Sequence, residues 1–362
     1  MGKIEEVTQP GVGNQKPHFV VLDGLRGVAA LFVVIFHFAE MVIGDYSKLW
    51  IGHGWLAVDF FFCLSGFVIG YAYDDRLARL DFVTFFKARL IRLHPMVVLA
   101  SVLGLIAFYS NPFSSTATPG PGRIATIFLA SILMVPFGAI HDKGHSIFGL
   151  NAPAWSLFWE YVANLAFAVV LYRLRRNALI LFTLVMATAL CWASHRAGNI
   201  YGGWSTRSFW DGGIRVAFSF SAGLLVYRTG WRPRNPFGFI SLSVLLVAAF
   251  VMPYADGAWR REDAIIIVGF PLLVALGACS VVTPRIKNLC RVLGDISYPL
   301  YMTHYTVIWI WGGYAGRHHL ASSASLWLTI ALGTCVMVAF AWVALKLYDE
   351  PVRRILRARM WG

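Results

Sequence analysis

Three ionisable side chains interrupt the first apolar stretch of the chain, LDGLRGVAALFVVIFHF (residues 22–38). Because an α-helix turns about 100° per residue, Arg26 and His37, eleven residues apart, share one helical face and lie about 16 Å apart along the axis. Asp23 lies one turn from Arg26 and can pair with it. An arginine is suited to binding phosphate, and a histidine accepts a proton near neutral pH. The stretch therefore predicts a helix that presents an anion-binding group and a base on one side.

Later apolar stretches carry polar side chains as well. The additional candidate site residues are Asp59, Ser65, Arg89, Arg92, Trp155, Ser156, Glu160, Arg215, Tyr301 and His304. A charge at the centre of a membrane helix costs at least ~2.5–3.5 kcal/mol, so such residues normally face the interior of a helix bundle or a water-filled cavity. Arg89 and Arg92 are three residues apart and share a helical face.

Each candidate also has a plainer interpretation. Asp23 or Asp59 can tether Arg26 between helices, and Arg89 and Arg92 can anchor a helix end at the membrane surface. Tryptophans near a helix end are typical of an interfacial aromatic belt. Arg215 and His304 are equally compatible with tethering two helices and with a functional role. An interfacial aromatic belt does not account for Glu160, which lies in an apolar run. These alternatives stay open from the residues alone.

The composition indicates a membrane protein that is built from helices. Of the 362 residues, 58% are hydrophobic and 14% are charged, against about 45–50% and about 25% in soluble domains. The apolar residues come in blocks that approach the ~20 residues of a membrane helix. We predict an all-α polytopic fold of about ten spans, at 19–43, 55–73, 95–110, 155–172, 178–194, 207–227, 237–253, 264–282, 296–313 and 324–346.

The distribution of basic residues predicts the orientation. With the N-terminus in the cytoplasm, 21 of the 31 Lys and Arg residues fall in cytoplasmic segments and eight on the opposite side. This asymmetry satisfies the positive-inside rule with both termini cytoplasmic, and it accounts for much of the net charge of +13 without nucleic-acid binding. The balance holds only if the apolar block at 124–140 does not cross the membrane. Pro136 and Gly138 favour a re-entrant or interfacial segment there.

The organisation expected is a single membrane domain. We predict a cytoplasmic N-terminal tail (1–18), a transmembrane domain (19–346) and a basic cytoplasmic C-terminal tail (347–362), with no appended soluble domain. The five cysteines lie in or at the ends of spans without metal-ligand spacing, so we interpret them as packing residues and expect no metal site.

Five segments together resemble the acyltransferase-3 family of bacterial integral-membrane O-acyltransferases. They are LDGLRGVAALFVVIFHF, VDFFFCLSGFVIG, RLIRLHP, AWSLFWE and LGDISYPLYMTH, which occur in the order of the family and cover nearly the whole chain. The resemblance implies transfer of an acyl group, often acetyl, from cytoplasmic acyl-CoA to a hydroxyl of an extracytoplasmic sugar or lipid-linked glycan. It also implies location in the bacterial inner membrane, ten spans and no tightly bound cofactor.

The resemblance assigns roles to some of the candidates. The catalytic histidine of the family corresponds to His37, its arginine to Arg26, its cytoplasmic arginine pair to Arg89 and Arg92, and its glutamate to Glu160. Two departures from the family are expected: no fused extracytoplasmic domain of the kind found in some members, and bulky Phe158 and Trp159 before the glutamate where small residues are more usual.

The chemistry of the residues fits this activity. Arg89 and Arg92 are expected to hold the nucleotide end of acyl-CoA, and His37 to act as general base toward the acceptor hydroxyl. Glu160 or Asp59 is expected either to orient the imidazole or to bind the acceptor. Direct transfer and an acyl-histidine intermediate are both open. The competing interpretations are a proton-coupled transporter or exporter, whose membrane helices also carry polar residues, and a scaffold, which would not need His37.

Overall fold

Helices make up the part of the chain that the structure, a computed structural model, describes. That part comprises residues 19–77, 80–113, 119–138, 146–231, 233, 235, 237–255, 257–318 and 324–361, and it contains isolated β-bridges but no strand. The predicted N-terminal tail, 1–18, lies outside it. The helices are α1 (Val20–Ile43), α2 (Ala57–Tyr73), α3 (Phe82–Ser110), α4 (Pro121–Ile132), α5 (Ala154–Val169), α6 (Arg176–Ala197), α7 (Phe209–Thr229), α8 (Phe239–Phe250), α9 (Trp259–Ala264), α10 (Phe270–Ala278), α11 (Pro284–His318), α12 (Ala324–Ala344) and α13 (Glu350–Trp361).

Five helices of the described residues are long and apolar enough to cross a membrane. They are Val20–Ile43, Gly54–Tyr73, Phe82–Ser110, Arg176–Ala197 and Ser325–Met360. The all-helical class is therefore confirmed, and the count of ten spans stays a prediction. Two continuous helices contain a π turn: Ile265–Gly269 joins α9 to α10, and Leu345–Asp349 joins α12 to α13.

The third helix begins much earlier than the predicted span at 95–110. α3 starts at Phe82 and includes Pro95 in its interior. A proline inside a helix removes one backbone hydrogen bond, and α3 nevertheless continues through Pro95. Arg89 and Arg92 consequently lie on the helix itself rather than in a segment before it.

The ambiguous block at 124–140 begins as a short helix. α4 contains 12 residues, which span about 18 Å and fall short of a hydrocarbon core of about 30 Å. The helix ends at Ile132, Met134 has a positive φ of 56°, and Phe137 pairs with Phe148 in a β-bridge. Residues 139–140 lie outside the described part, and the re-entrant arrangement remains a prediction.

Two helix pairs form the centre of the bundle, and glycines let each pair approach closely. α1 packs along α11, and α2 packs along α7. A Cβ at Gly27 would overlap the backbone of Leu293, and one at Gly66 would overlap the carbonyl group of Phe220. Small residues at helix interfaces are a common way for membrane helices to pack. The close α1–α11 contact is what brings the polar side chains of these two helices together.

Candidate active site

A cavity of about 350 Å³ opens between α1, α2, α3, α5, α11 and the continuous α12–α13 helix. Eight of the residues predicted from the sequence line it, from five different helices: Asp23, Arg26, Ser65, Arg89, Arg92, Ser156, Glu160 and Tyr301. Five of the lining residues are arginines and five are acidic, so the charges that are not paired within the protein determine what the cavity can bind.

Glu160 lies at the centre of one hydrogen-bond network in the cavity wall. Its Oε1 accepts hydrogen bonds from Ser65 Oγ at 2.5 Å, from Arg89 Nη2 at 3.3 Å and from Asn164 Nδ2 at 3.3 Å. These donors come from α2, α3 and α5, and they compensate for moving the carboxylate out of water. Glu160 therefore belongs to the wall of the arginine-rich cavity.

Arg26 is fixed against α11 by its own side chain. Its Nε donates to Ser297 Oγ at 2.8 Å and its Nη2 donates to the carbonyl oxygen of Gly294 at 2.7 Å. Asp23 Oδ1 is 3.6 Å from the same Nη2, so the predicted one-turn pair is present as a long contact. The guanidinium is thus held in one orientation at the cavity wall.

His37 lies outside this cavity lining and is oriented by a residue that the sequence analysis did not select. Its Nδ1 is 2.8 Å from Glu40 Oε2. The other carboxylate oxygen of Glu40 accepts hydrogen bonds from the hydroxyls of Tyr46 and Tyr201, each at 2.7 Å. The partner of the imidazole is therefore Glu40, three residues along the same helix, and neither Glu160 nor Asp59. The i,i+3 spacing of His37 and Glu40 in the sequence is the signal from which this pair could have been predicted.

His304 stacks on His37. The ring centroids are 5.4 Å apart with an angle of 24° between the planes, and Tyr305 packs edge-on against His37 at 5.0 Å. His304 Nδ1 lies 2.8 Å from the carbonyl oxygen of Tyr301, which can only accept, so Nδ1 carries the hydrogen. Its Nε2 is then an acceptor, is buried, and has no hydrogen-bond partner among the residues that the structure describes.

Tyr301 separates the cavity from the two histidines. Its hydroxyl is hydrogen-bonded to Ser156 Oγ at 2.6 Å, and both residues line the cavity. On its other side, the ring centroid of Tyr301 lies 5.8 Å from that of His304. A continuous series of contacts therefore leads from the arginine-rich cavity through Tyr301 and His304 to His37.

Asp59, Arg215 and Trp155 form a separate buried cluster. Arg215 donates to both carboxylate oxygens of Asp59, from Nη2 at 2.6 Å and from Nε at 3.1 Å, and both side chains are fully buried. The guanidinium also donates to the carbonyl oxygens of Gly202 and Trp55 and lies 5.3 Å from the Trp155 ring. This arrangement matches the interhelical tether that the sequence left open for such residues, here between α2 and α7.

These features define a class of protein: a helical membrane protein with an arginine-lined cavity at one end and a histidine–glutamate pair beyond it. The chain belongs to the Acyl_transf_3 family, described as an acyltransferase domain, whose family model matches residues 19–346. It is accordingly an acyl-transferring enzyme by family.

Three curated proteins are similar to the chain. "Protein 2 in picA locus" of Rhizobium radiobacter is 36% identical over 167 residues, which cover 43% of this chain and 84% of that protein. "Acyltransferase MdmB" of Streptomyces mycarofaciens is 27% identical over 93% of this chain and 92% of its own length. "Peptidoglycan O-acetyltransferase OatA" of Listeria monocytogenes serovar 1/2a (strain ATCC BAA-679 / EGD-e) is 27% identical over 79% of this chain, and the match spans 49% of that protein. No solved structure matches the chain significantly.

Proposed function

We propose that this protein is an O-acyltransferase that moves an acyl group, acetyl in the simplest case, from cytoplasmic acyl-CoA to a hydroxyl of an extracytoplasmic glycan or glycolipid. The observation that carries the proposal is the placement of a base near an arginine-lined cavity. His37, oriented by Glu40, is connected to the cavity lining through His304 and Tyr301. The family supplies the reaction class, and the pattern of charges supplies the direction.

The donor side of the proposal rests on the free cations of the cavity. Arg92 is exposed, lines the cavity, and makes no hydrogen bond or ion pair with a described residue. Arginine forks bind phosphate bidentately and keep their charge, which suits the polyanionic nucleotide end of coenzyme A. The pantetheine arm would extend along the cavity past Arg26 toward Tyr301.

The chemical step rests on the histidine pair. A hydroxyl attacks a thioester poorly until a base removes its proton, and a positioned general base contributes typically about 10²–10⁴-fold. Glu40 accepts from Nδ1 of His37, so the base would act through Nε2 and the carboxylate would stabilise the imidazolium that forms. The thioester would reach this atom by passing Tyr301, which lines the cavity, is hydrogen-bonded to Ser156 and has its ring 5.8 Å from that of His304.

The acceptor is proposed from the orientation and from the relatives. Tyr46 and Tyr201, which bind Glu40, come from the segments that follow α1 and α6, at the end of the bundle that the charge pattern assigns to the outside. The printed name of the Listeria relative describes a peptidoglycan O-acetyltransferase, which favours a carbohydrate acceptor here as well. Direct attack by the acceptor and an acyl-histidine intermediate use the same His37.

The test is acyl transfer by the purified protein. The full chain in detergent is mixed with acetyl-CoA and a panel of glycans, and both coenzyme A release and acetylated glycan are measured. We expect stoichiometric thiol release and ester formation. A protein that binds glycan and moves it across vesicles without releasing coenzyme A would instead be the transporter.

A further inference from the structure

The cavity has walls that the sequence motifs did not indicate. Arg291 of α11 lines it, together with Leu345, Asp349, Glu350 and Arg353 of the continuous α12–α13 helix. From the sequence, Arg291 and Arg353 were counted only as charges that set the orientation. Their side chains instead face the same space as Arg26, Arg89 and Arg92.

The π turn at Leu345–Asp349 is located where the helix passes the cavity. Leu345, Asp349 and Arg353, each four residues apart, all line it, and the first two are buried. π turns inside helices occur frequently at functional sites. Beyond the turn α13 packs against α3, the helix that carries Arg89 and Arg92. The first turn of the C-terminal helix therefore forms part of the cavity wall.

The pairing of the five arginines distinguishes which of them are available to a ligand. Arg26 is held by Ser297 and Gly294, and Arg89 is paired with Glu160. Arg92 and Arg291 are exposed and have no ion-pair or hydrogen-bond partner among the described residues.

Arg353 is only partly paired within the protein. Its Nη2 lies 2.7 Å from Asp349 Oδ2, yet its Nε and the other oxygen of Asp349 are buried and unpartnered within the described part of the chain. A buried donor that lacks a partner is costly, and an incoming oxyanion would satisfy it. Arg92 and Arg353 line the same cavity, so the two cations act on the same space.

We propose that Arg291 and Arg353, together with Arg92, form the phosphate-binding site for the nucleotide end of the donor, so that helices α3, α11 and α13 hold one polyphosphate between them. This assignment rests on the proposed function for its donor. It divides the cavity into a phosphate site at α13 and a thioester end at Tyr301.

Binding of three probes to the full-length purified protein tests the site. CoA, adenosine 3′,5′-bisphosphate and pantetheine are titrated by calorimetry against wild type, Arg291→Gln and Arg353→Gln. Each substitution is expected to weaken CoA binding about tenfold or more, to weaken the bisphosphate likewise, and to leave pantetheine unchanged. Arg285→Gln and Arg354→Gln are matched controls, because both are exposed arginines of the same helices outside the cavity, and they should bind like wild type.

A substitution that strengthens binding separates the site from a folding effect. Asp349→Asn removes the carboxylate that competes for Arg353, so CoA should bind severalfold more tightly. Unchanged or weaker CoA binding in Asp349→Asn would overturn the role of Arg353. Wild-type CoA affinity in both arginine variants, or equal losses for CoA and pantetheine, would overturn the phosphate site.

The proposed function is tested separately in the same preparation. If the wild-type protein cannot transfer acetyl from acetyl-CoA, the proposed function is overturned. If the wild-type protein transfers acetyl and the arginine variants bind CoA normally, only the phosphate site is overturned.

Discussion

At the scale of single residues, the His37 ring is held by one carboxylate and one stacked ring. Glu40 binds Nδ1, His304 stacks on the face, and Tyr305 packs on the edge. This is the arrangement of a base with an orienting partner, in which the partner acts through the imidazole and not on the substrate. Glu40 is therefore a positioning residue.

Glu40→Gln should lower kcat at least about tenfold and leave the donor Kd unchanged, because the amide keeps a hydrogen bond but cannot stabilise an imidazolium. Glu40→Asp should recover part of the loss, since it keeps the charge at a shorter reach. Steady-state kinetics and CoA titration on both variants give the two readouts. A Glu40→Gln protein with wild-type kcat would show that the pair is only structural.

Asp59 and Arg215 make a different prediction, although both were candidates for the site. Asp59→Ala should destabilise the protein by about 3–5 kcal/mol, because it leaves the buried Arg215 charge without its partner. The double substitution Asp59→Leu with Arg215→Met should be far more stable than Asp59→Ala. Thermal unfolding in detergent measures both, and CoA binding by the folded double variant should equal that of wild type. A stable Asp59→Ala protein that has lost acyl transfer would make Asp59 catalytic after all.

At the scale of elements, α3 connects the donor site to the network around Glu160. Arg89 and Arg92 lie one turn apart on this helix, but only Arg89 is paired, with Glu160 at 3.3 Å. Arg89 and Arg92 correspond to one arginine pair of the family, but their surroundings differ. Substitutions of the two residues should therefore have different consequences.

Arg92→Ala should weaken acetyl-CoA binding roughly ten- to a hundred-fold without affecting folding, because a charge-assisted hydrogen bond is worth about 1.5–3 kcal/mol. Arg89→Ala should weaken binding and also lower the thermal stability, because Glu160 loses a cation. Lysine should rescue Arg92→Ala in part, since it keeps the charge and loses the fork. Calorimetric titration and thermal unfolding separate the two effects. Identical behaviour of the two alanine variants would contradict the unequal pairing.

Sequence reasoning located the helices better than their ends. The apolar blocks identified α1 and α2 closely, whereas the span predicted at 95–110 missed the first half of α3, where Lys87, Arg89 and Arg92 interrupt the apolar pattern. The resemblance to the acyltransferase-3 family assigned Arg26, Arg89, Arg92 and Glu160 to one site, and all four line the cavity. Glu40 was missed although it lies three residues from His37 on the same helix, whereas Arg353 was missed because its place at the cavity depends on helix packing that no local pattern records.

At the scale of the whole molecule, the distribution of charges predicts both termini in the cytoplasm and no crossing by residues 124–140. The 12-residue length of α4 is compatible with that arrangement. Because one additional crossing would invert every later loop, a small number of labelled positions decides the topology.

Single cysteines introduced at Lys48 and Gly198 should react with an impermeant thiol reagent from outside the cell, in a background that lacks the five native cysteines. Cysteines at Arg175 and Lys287 should react only after the membrane is opened. Labelling of position 175 from outside would show that the α4 segment crosses the membrane, and the donor and acceptor sides would then need to be reassigned.

The most direct measurement compares His37→Ala with wild type for acetyl transfer and for acetyl-CoA binding, on purified protein of verified fold. Removing a base that acts only in the transition state should lower kcat by about 10²–10⁴-fold and leave the Kd of acetyl-CoA within about twofold. His37→Gln should be equally inactive, because an amide cannot take the proton. Arg26→Ala should instead weaken binding and turnover together. A His37→Ala protein that acetylates its acceptor at near the wild-type rate would contradict the general-base account, and His304 would then be the base to test.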